Sequence, residues 1–261
     1  MRSLKLTLAY DGTAYAGWQV QPGRPTVQGV LETALEKITG QRIRVLASGR
    51  TDAGVHALGQ VVGLRTQSRL APDVLRRALN AELPHDVAVL DVAEAPDGFH
   101  AIRDAVRKKY RYSIHDGPIR DIFKRYYCWK YAHGRLDVDA MNRAAQYLLG
   151  THDFRSFQSS GAERESSVRT VFDISVRRGG DGSDEIQQGR AGGENCIFID
   201  VEANGFLYNM ARAIVGTLVE VGRGAKPESW PAEVLRAADR RAAGPTAPPQ
   251  GLFLVEVDYE G

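Results

Sequence analysis

The order of apolar and polar positions divides the chain into short strands and amphipathic helices. Residues 4–10 place a large apolar side chain at every second position, which is the period of a half-buried β-strand. Residues 27–38 place apolar side chains at helical spacing, with Thr26 suited to the N-cap and Gly40 suited to end the helix. The chain is therefore predicted to open with a strand followed by a helix.

The pattern that follows adds strands and one further helix. Strands are predicted at residues 43–47, 59–66 and 87–95, where apolar and β-branched residues cluster. A helix is predicted at residues 72–80, because Pro72 fits a first helical position, where no N–H is needed. This order of elements is typical of an α+β layer.

The second part of the chain repeats the same kinds of element. The predicted elements are, in order, a strand at 106–114, a helix over about 141–149 ended by Gly150, hairpin strands at 168–177 and 195–202, helices at about 207–221 and 229–241, and a closing strand at 251–259. We therefore predict two related α+β domains, an N-terminal domain at residues 1–105 and a C-terminal domain at residues 106–261. The glycine-rich connector at 178–195 is predicted to be a long flexible turn.

Composition is that of an ordinary globular protein. Of the 261 residues, 43% are hydrophobic and 25% are charged, and no apolar run approaches the length of a membrane span. The N-terminal stretch shows no signal-peptide core. The two cysteines, Cys128 and Cys196, lie far apart, which is typical of a reducing compartment such as the cytoplasm and argues against a cysteine zinc site. The net charge of +2 says little about partners, since what matters is whether positive charge gathers on one surface.

Sequence motifs for several common chemistries are missing. The chain has no GxxxxGK[ST] phosphate loop, no GxGxxG after a strand and no GxSxG turn. Its six histidines are not paired at metal-ligand spacing, and HExxH does not occur. We therefore predict a protein that uses neither a metal nor a cofactor, and whose chemistry is carried by its own acidic, basic or nucleophilic side chains.

The stretch ASGRTDAGVHA at residues 47–57 concentrates charge on a short loop between predicted strands. Gly49 and Gly54 bracket the charged residues and permit tight or left-handed backbone on both sides. Arg50 and Asp52 are two residues apart, so an extended backbone would place both on one face, where the arginine keeps the carboxylate ionised. Such a carboxylate is a usable nucleophile or base. An ion pair that only stabilises a turn explains the same spacing, and spacing alone leaves both interpretations open.

The predicted strand at 106–114 interleaves basic and aromatic residues, a combination suited to nucleic acid. Cations contact phosphate and tyrosine rings stack on bases. Tyr110 and Tyr112 share one face of the strand, and the other face carries Arg107, Lys109 and Arg111. The alternative is a solvated strand whose aromatic face packs in the core. We expect a core position for Tyr112, while both interpretations remain for Tyr110.

The predicted helix at 207–221 carries one cation near its apolar side. Arg212 lies between Met210 and Ile214 and either extends to the surface or points into a polar cleft. A buried arginine needs a partner, and Asp52 or a phosphate would serve.

Taken together, the motifs of the chain resemble those of the tRNA pseudouridine synthase A family. The resemblance covers nearly the whole length, in the family's order, and GRTDxGVHA is its most specific signal. The matching stretches are AYDGTAYAGWQ at 9–19, SGRTDAGVHALGQV at 48–61, FHAIRDAVRKKYRY at 99–112, GTHDFRSF at 150–157, GFLYNMARAIVG at 205–216 and the closing GLFLVEVDY. The chain departs from the family at Ala211, where valine is more frequent, and in the length of its 178–195 connector.

The resemblance implies an activity and a fold. Members isomerise uridine to pseudouridine at tRNA positions 38, 39 and 40, in the anticodon stem-loop, without cofactor or metal. The implied fold is a mixed, largely antiparallel sheet flanked by helices, in two related domains around a central basic cleft. The implied assembly is a homodimer, and the implied partner is tRNA.

The resemblance also implies roles for four residues. The catalytic aspartate of the family falls on Asp52, and the arginine of the same motif falls on Arg50. The tyrosine that contacts the substrate base falls on Tyr110, and the arginine of the C-terminal helix falls on Arg212. Whether the carboxylate attacks C1′, adds to C6 or abstracts a sugar proton stays open, and so does the role of His56.

Two other functions compete with this one. A non-catalytic RNA-binding protein would explain the basic strand but gives no reason for an acid, Asp52, beside expected phosphates. A cofactor-free hydrolase of glycosidic bonds would be expected to have two close carboxylates, and the motif offers one.

Overall fold

The chain folds into two compact units. The computed structural model describes residues 1–161, 166–179 and 194–260, so most of the predicted connector at 178–195 lies outside the described residues. The first unit comprises Met1–Lys108 and Phe253–Gly261, and the second comprises Lys109–Leu252. The predicted C-terminal domain thus differs from the second unit at its end. The closing strand groups with the first unit because Phe253 and Leu254 pair in parallel with His56 and Ala57.

The first unit is a sheet backed by two helices. Its strands are β1 (Arg2–Tyr10), β2 (Leu46–Ala47), β3 (His56–Thr66), β4 (Val87–Ala95) and, apart from its first residue, β10 (Leu252–Tyr259). They lie in the order β4, β1, β3 and β10, with the short β2 on β3. β1 is antiparallel to both β3 and β4, and its leucines at positions 4, 6 and 8 are fully buried, as the alternation predicted.

The two helices of the first unit begin where the sequence predicted. Helix α1 (Val27–Thr39) is capped by Thr26, whose side chain accepts from the N–H of Gly29, and it ends at Gly40 with φ of 69°. Helix α2 spans Pro72–Glu82.

The predicted strand at 43–47 is shorter in the structure. Only Leu46 and Ala47 pair with β3. Side chains of α1 take the hydrogen bonds that a longer strand would use, because Glu32 accepts from the N–H of Val45 and Gln28 donates to its carbonyl.

The second unit combines antiparallel and parallel strand pairs with three helices. Its strands are the later part of β5 (Ala105–His115), β6 (Trp129–Lys130), β7 (Gly150–Asp153), β8 (Val168–Arg178) and β9 (Cys196–Ala203). Its helices are α3 (Val138–Ala145), α4 (Met210–Gly222) and α5 (Trp230–Ala237). The strands lie in the order β5, β9, β8 and β7, and β8 and β9 are antiparallel, which confirms the predicted pairing of these two segments.

Two helices of the second unit are shorter than predicted for backbone reasons. α4 begins at Met210 instead of about residue 207, because Asn209 has a left-handed φ of 62°. α5 ends at Ala237, because Ala238 is left-handed with φ of 48°. Positive φ is unusual without glycine, so side-chain periodicity gives no sign of either bend.

The described residues form ten strands and five α-helices with both antiparallel and parallel pairs, so the predicted mixed α+β class is confirmed. Within the same residues, no helix is long and apolar enough to cross a membrane.

Candidate active site

The loop that carries Asp52 lies between β2 and β3 in the first unit. Residues 48–55 have no regular secondary structure, and Asp52 is partly exposed. A tight turn follows it, in which the N–H of Val55 donates to the carbonyl of Asp52 at 3.1 Å and Gly54 has φ of 76°. Of the two glycines expected to permit left-handed backbone, Gly54 adopts it and Gly49 does not.

Arg50 does not form the ion pair with Asp52 that the sequence predicted. Arg50 is exposed, and across the described part of the chain its side chain makes no hydrogen bond or ion pair. The prediction assumed an extended backbone, which sends alternate side chains to one face. Residues 50–52 are not in a strand, so strand alternation gives no reason for the two side chains to share a face.

A buried network of neutral hydrogen bonds underlies the loop. Gln60, which is fully buried in β3, donates to the carbonyl of Gly49 at 2.8 Å and accepts from the hydroxyl of Ser48 at 2.7 Å. The hydroxyls of Tyr10 and Thr51 lie 2.8 Å apart, and both residues are buried. Burial raises the pKa of Tyr10 to about 12, so this hydroxyl keeps its proton at neutral pH.

Two glycines of the N-terminal motif allow another segment to lie against the loop. The N–H of Trp18 donates to the carbonyl of Thr51 at 3.0 Å. A Cβ atom at Gly17 would lie 2.6 Å from that same carbonyl oxygen, and Gly17 has φ of 93°. A Cβ atom at Gly12 would lie 2.0 Å from the carbonyl oxygen of Val55. Any side chain at either position would displace the backbone around Asp52.

His56 holds this N-terminal segment in place. Its Nδ1 accepts from the N–H of Gly12 at 3.1 Å and lies 3.1 Å from Oδ1 of Asp11. Its ring stacks on Phe253 with centroids 4.6 Å apart, and the side chain is 1% exposed. His56, whose role the sequence left open, therefore packs in the interior next to the loop at residues 48–55.

The basic strand β5 uses two of its cations inside the protein. In the first unit, Nζ of Lys108 donates to the carbonyl of Ser48 at 2.5 Å. In the second unit, Arg111 donates to both carboxylate oxygens of Asp200, at 2.7 and 3.0 Å. Arg111 is therefore held in an internal ion pair, and Arg107 is exposed.

The two tyrosines of β5 are both buried within the second unit. Tyr112 is 1% exposed and donates to the carbonyl of Pro248 at 2.7 Å, which confirms the predicted core position. Burial raises its pKa. Tyr110 is 8% exposed and meets the ring of Phe206 edge to face, with centroids 4.7 Å apart.

Arg212 lies in the first turn of α4 and is half-buried. Its Nε donates to the carbonyl of Ala247 at 2.7 Å, and its Nη1 donates to Oδ1 of Asn209 at 2.9 Å. Both acceptors belong to the second unit, and they fix the orientation of the guanidinium. The guanidinium of Arg212 is therefore oriented by residues of the second unit, and the side chain does not simply extend to the surface.

Potential metal ligands are dispersed in the described part of the chain. Residues 1–161, 166–179 and 194–260 contain no group of three or more His, Cys, Asp or Glu side chains that could hold a metal ion.

Sequence reasoning found Asp52 but missed most of what surrounds it. Tyr10, Thr51 and Gln60 come from three different segments and were not predicted to meet. One signal was available, because Gln60 is a polar residue within an apolar strand, and a buried polar side chain needs hydrogen-bond partners.

Comparison with known proteins gives a consistent result across the chain. A family model described as tRNA pseudouridine synthase matches residues 7–103 and 144–260. The chain is 48% identical over 262 residues to the tRNA pseudouridine synthase A of Moorella thermoacetica, covering 99% of this chain and all of that protein. It is 46% identical over 259 residues to the protein of that name from Brevibacillus brevis, with 99% and 100% coverage. Because the family match spans most of the residues and these relatives align end to end, the chain belongs to the tRNA pseudouridine synthase family.

Proposed function

We propose that the protein isomerises uridine to pseudouridine at positions 38, 39 and 40 of the tRNA anticodon stem-loop, with Asp52 as the catalytic residue. The observation that carries this proposal is the loop of Asp52. Its backbone is fixed by buried hydrogen bonds while the aspartate itself stays partly exposed. A rigidly supported carboxylate that reaches solvent suits a reaction that depends on placement.

The reaction is an internal rearrangement. The C1′–N1 bond breaks, the uracil turns, and a C5–C1′ bond forms, while C5 loses a proton and N1 gains one. Nothing is oxidised and no group leaves. The target base is stacked in the RNA, so it must first leave the stack, at a cost of a few kcal/mol. Asp52 then acts as nucleophile or base, by attack at C1′, addition to C6 or abstraction of a sugar proton.

The other three residues are proposed to act on the same nucleotide. Arg50 is exposed and without a described partner, which suits a group that occupies the place of the flipped base or contacts a phosphate. Tyr110 is proposed to contact the detached uracil. Arg212 supplies an oriented positive charge, and the sequence offers two anions for it, the Asp52 carboxylate and a substrate phosphate.

The assembly is proposed to be a homodimer, as the family resemblance implies. Sedimentation velocity at micromolar concentration tests this directly, since a dimer has twice the mass of the 28.7 kDa chain.

Replacement of Asp52 by asparagine tests the catalytic role. Asp52→Asn keeps the shape of the side chain and removes its charge and basicity. We expect pseudouridine formation to fall by at least about 10³-fold. Binding of tRNA, measured by filter retention, should stay within a few-fold of wild type. Asp97→Asn, which makes the same change at an exposed turn, serves as the control and should keep full activity. Full activity of Asp52→Asn would overturn the assignment.

A second experiment separates this function from its two rivals. The protein is incubated with unmodified tRNA alone, without added metal or nucleotide. Pseudouridine supports the proposed isomerase, free uracil supports a glycosidic hydrolase, and unchanged RNA with tight binding supports a non-catalytic RNA-binding protein.

A further inference from the structure

We infer that Tyr10, Thr51 and Gln60 are positioning residues, which set the orientation of the Asp52 carboxylate through a chain of buried hydrogen bonds. The inference rests on the proposed catalytic role of Asp52. None of the three needs to touch the substrate. They act by fixing the loop backbone that leads into the aspartate.

Gln60 is the anchor of this chain of bonds. Its Oε1 accepts from the Ser48 hydroxyl at 2.7 Å, and its Nε2 donates to the Gly49 carbonyl at 2.8 Å and to the Tyr10 oxygen at 3.4 Å. These bonds determine which end of the amide faces which partner, because a carbonyl can only accept. Gln60 is fully buried, so water does not compete for these groups.

Tyr10 links Gln60 to Thr51, the residue before Asp52. The Tyr10 oxygen accepts from Gln60 and also shares a hydrogen bond with Oγ1 of Thr51, 2.8 Å away. The carbonyl of Thr51 is also held, since it accepts from the N–H of Trp18 at 3.0 Å. Both the side chain and the main chain of Thr51 are therefore fixed immediately before the catalytic residue.

The hydrogen-bond network is suited to fixing the position of the Asp52 carboxylate and not to changing its charge. The bonds join neutral groups, and they attach to the loop at Ser48, Gly49 and Thr51, just before Asp52. They therefore fix the loop without neutralising the carboxylate. A displacement of about 1 Å at a reacting group can cost roughly 100-fold in rate. Loss of the network should thus lower the rate of the chemical step and leave tRNA binding intact.

Thr51→Val and Tyr10→Phe test the inference, because each removes a hydroxyl and keeps the side-chain volume. The rate is measured in a single turnover with enzyme in excess over tRNA, and Kd is measured by filter retention. We expect the rate to fall about 10- to 100-fold, while Kd stays within twofold. Thr51→Ser restores the hydroxyl and should return the rate to within about threefold of wild type.

Thr66→Val is the matched control. Thr66 is also a buried threonine of the first unit, at the far end of β3, and its hydroxyl donates to Gln41 at 3.1 Å. We expect a lower melting temperature with an unchanged single-turnover rate. If Thr51→Val and Tyr10→Phe behave in the same way as Thr66→Val, the network is only structural and the inference is overturned. A loss of tRNA affinity at an unchanged single-turnover rate would also overturn it.

The outcome can be separated from that of the proposed function. An active Asp52→Asn variant would remove the catalytic role itself. An inactive Asp52→Asn variant combined with wild-type rates for Tyr10→Phe and Thr51→Val would overturn only the positioning role.

Discussion

The loop at residues 48–55 and the strand β5 both concentrate charged residues, yet the structure uses those charges in opposite ways. Around the loop, neutral hydrogen bonds together with one from Nζ of Lys108 fix the backbone, and Arg50 stays exposed. In β5, Arg111 is bound by both oxygens of Asp200, which lies 89 residues away in the sequence. An ion pair fixes a side chain but occupies its charge, whereas a neutral network fixes a backbone and leaves nearby charges able to act.

The largest effect expected from this comparison is on stability. Arg111→Met removes the cation that donates to both oxygens of Asp200, whose side chain is only 9% exposed, and leaves Arg177 3.6 Å from the same carboxylate. Loss of two short hydrogen bonds to a buried carboxylate should lower the free energy of unfolding by about 2 kcal/mol, because Arg177 still offsets part of the charge. Urea denaturation measures the loss. The slope of tRNA affinity against salt concentration should not change, because Arg111 is not expected to meet a phosphate.

Arg143→Met is the matched control for Arg111→Met. Arg143 also makes two bonds to one carboxylate, Glu228, but these side chains are 58% and 41% exposed. A surface pair of this kind contributes about 1 kcal/mol or less. If the two variants lose the same free energy of unfolding, burial does not determine the strength of these pairs. If the slope of tRNA affinity against salt concentration is smaller for Arg111→Met, Arg111 contacts a phosphate of the RNA.

The next largest effect is expected for Gly17→Ala, which changes the contact between Gly17 and the loop at residues 48–55. The added Cβ would meet the carbonyl of Thr51 at 2.6 Å, so the backbone before Asp52 must move. We expect pseudouridine formation to fall about 100-fold. Gly23→Ala is the control, because Gly23 also has a positive φ, of 71°, but has nothing within 4 Å of the added atom. If both variants lose the same activity, backbone strain and not loop displacement is the cause.

Local patterns predicted the elements of the fold because the forces involved act within a few residues. Thr26 and Gly40 bound α1 as capping rules require, and β4 spans the predicted residues 87–95. The late start of α4 depends on the left-handed backbone of Asn209, which leaves no trace in side-chain periodicity. The membership of β10 in the first unit depends on pairing with His56 and Ala57, distant in sequence.

The candidate site was predictable in its residue types but not in its contacts. Asp52 was placed on a loop between strands, as the structure has it. The partner chosen for it, Arg50, was the nearest cation in the sequence, and the structure does not form that pair. The partner of Arg111 and the bonds of Gln60 depend on which strands become neighbours, so sequence spacing could not give them.

Arg50→Ala should have a moderate effect on RNA binding. Arg50 is exposed, and its side chain has no partner among the described residues, so its charge is available to a phosphate. We expect a several-fold weaker Kd for tRNA and a decrease of about one in the slope of log Kd against log salt. Arg42→Ala is the control, because Arg42 is exposed but already paired with Glu36. An unchanged slope for Arg50→Ala would place Arg50 away from the phosphates.

The smallest effect is a difference in pH dependence between an ion pair and the neutral network. Burial raises the pKa of Asp116, but hydrogen bonds from Arg178 and from the N–H of Leu136 outweigh it, so the pKa of this carboxyl is lowered. Its stabilising effect is therefore complete above the unfolded pKa of about 4 and is lost as pH falls through the folded pKa. The stability difference between wild type and Asp116→Asn should shrink when urea denaturation is repeated below about pH 4.

The difference between wild type and Thr51→Val should stay constant over the same range, because the Tyr10 and Thr51 hydroxyls do not titrate there. A Thr51→Val difference that also shrinks in acid would show that a charged group takes part in the network.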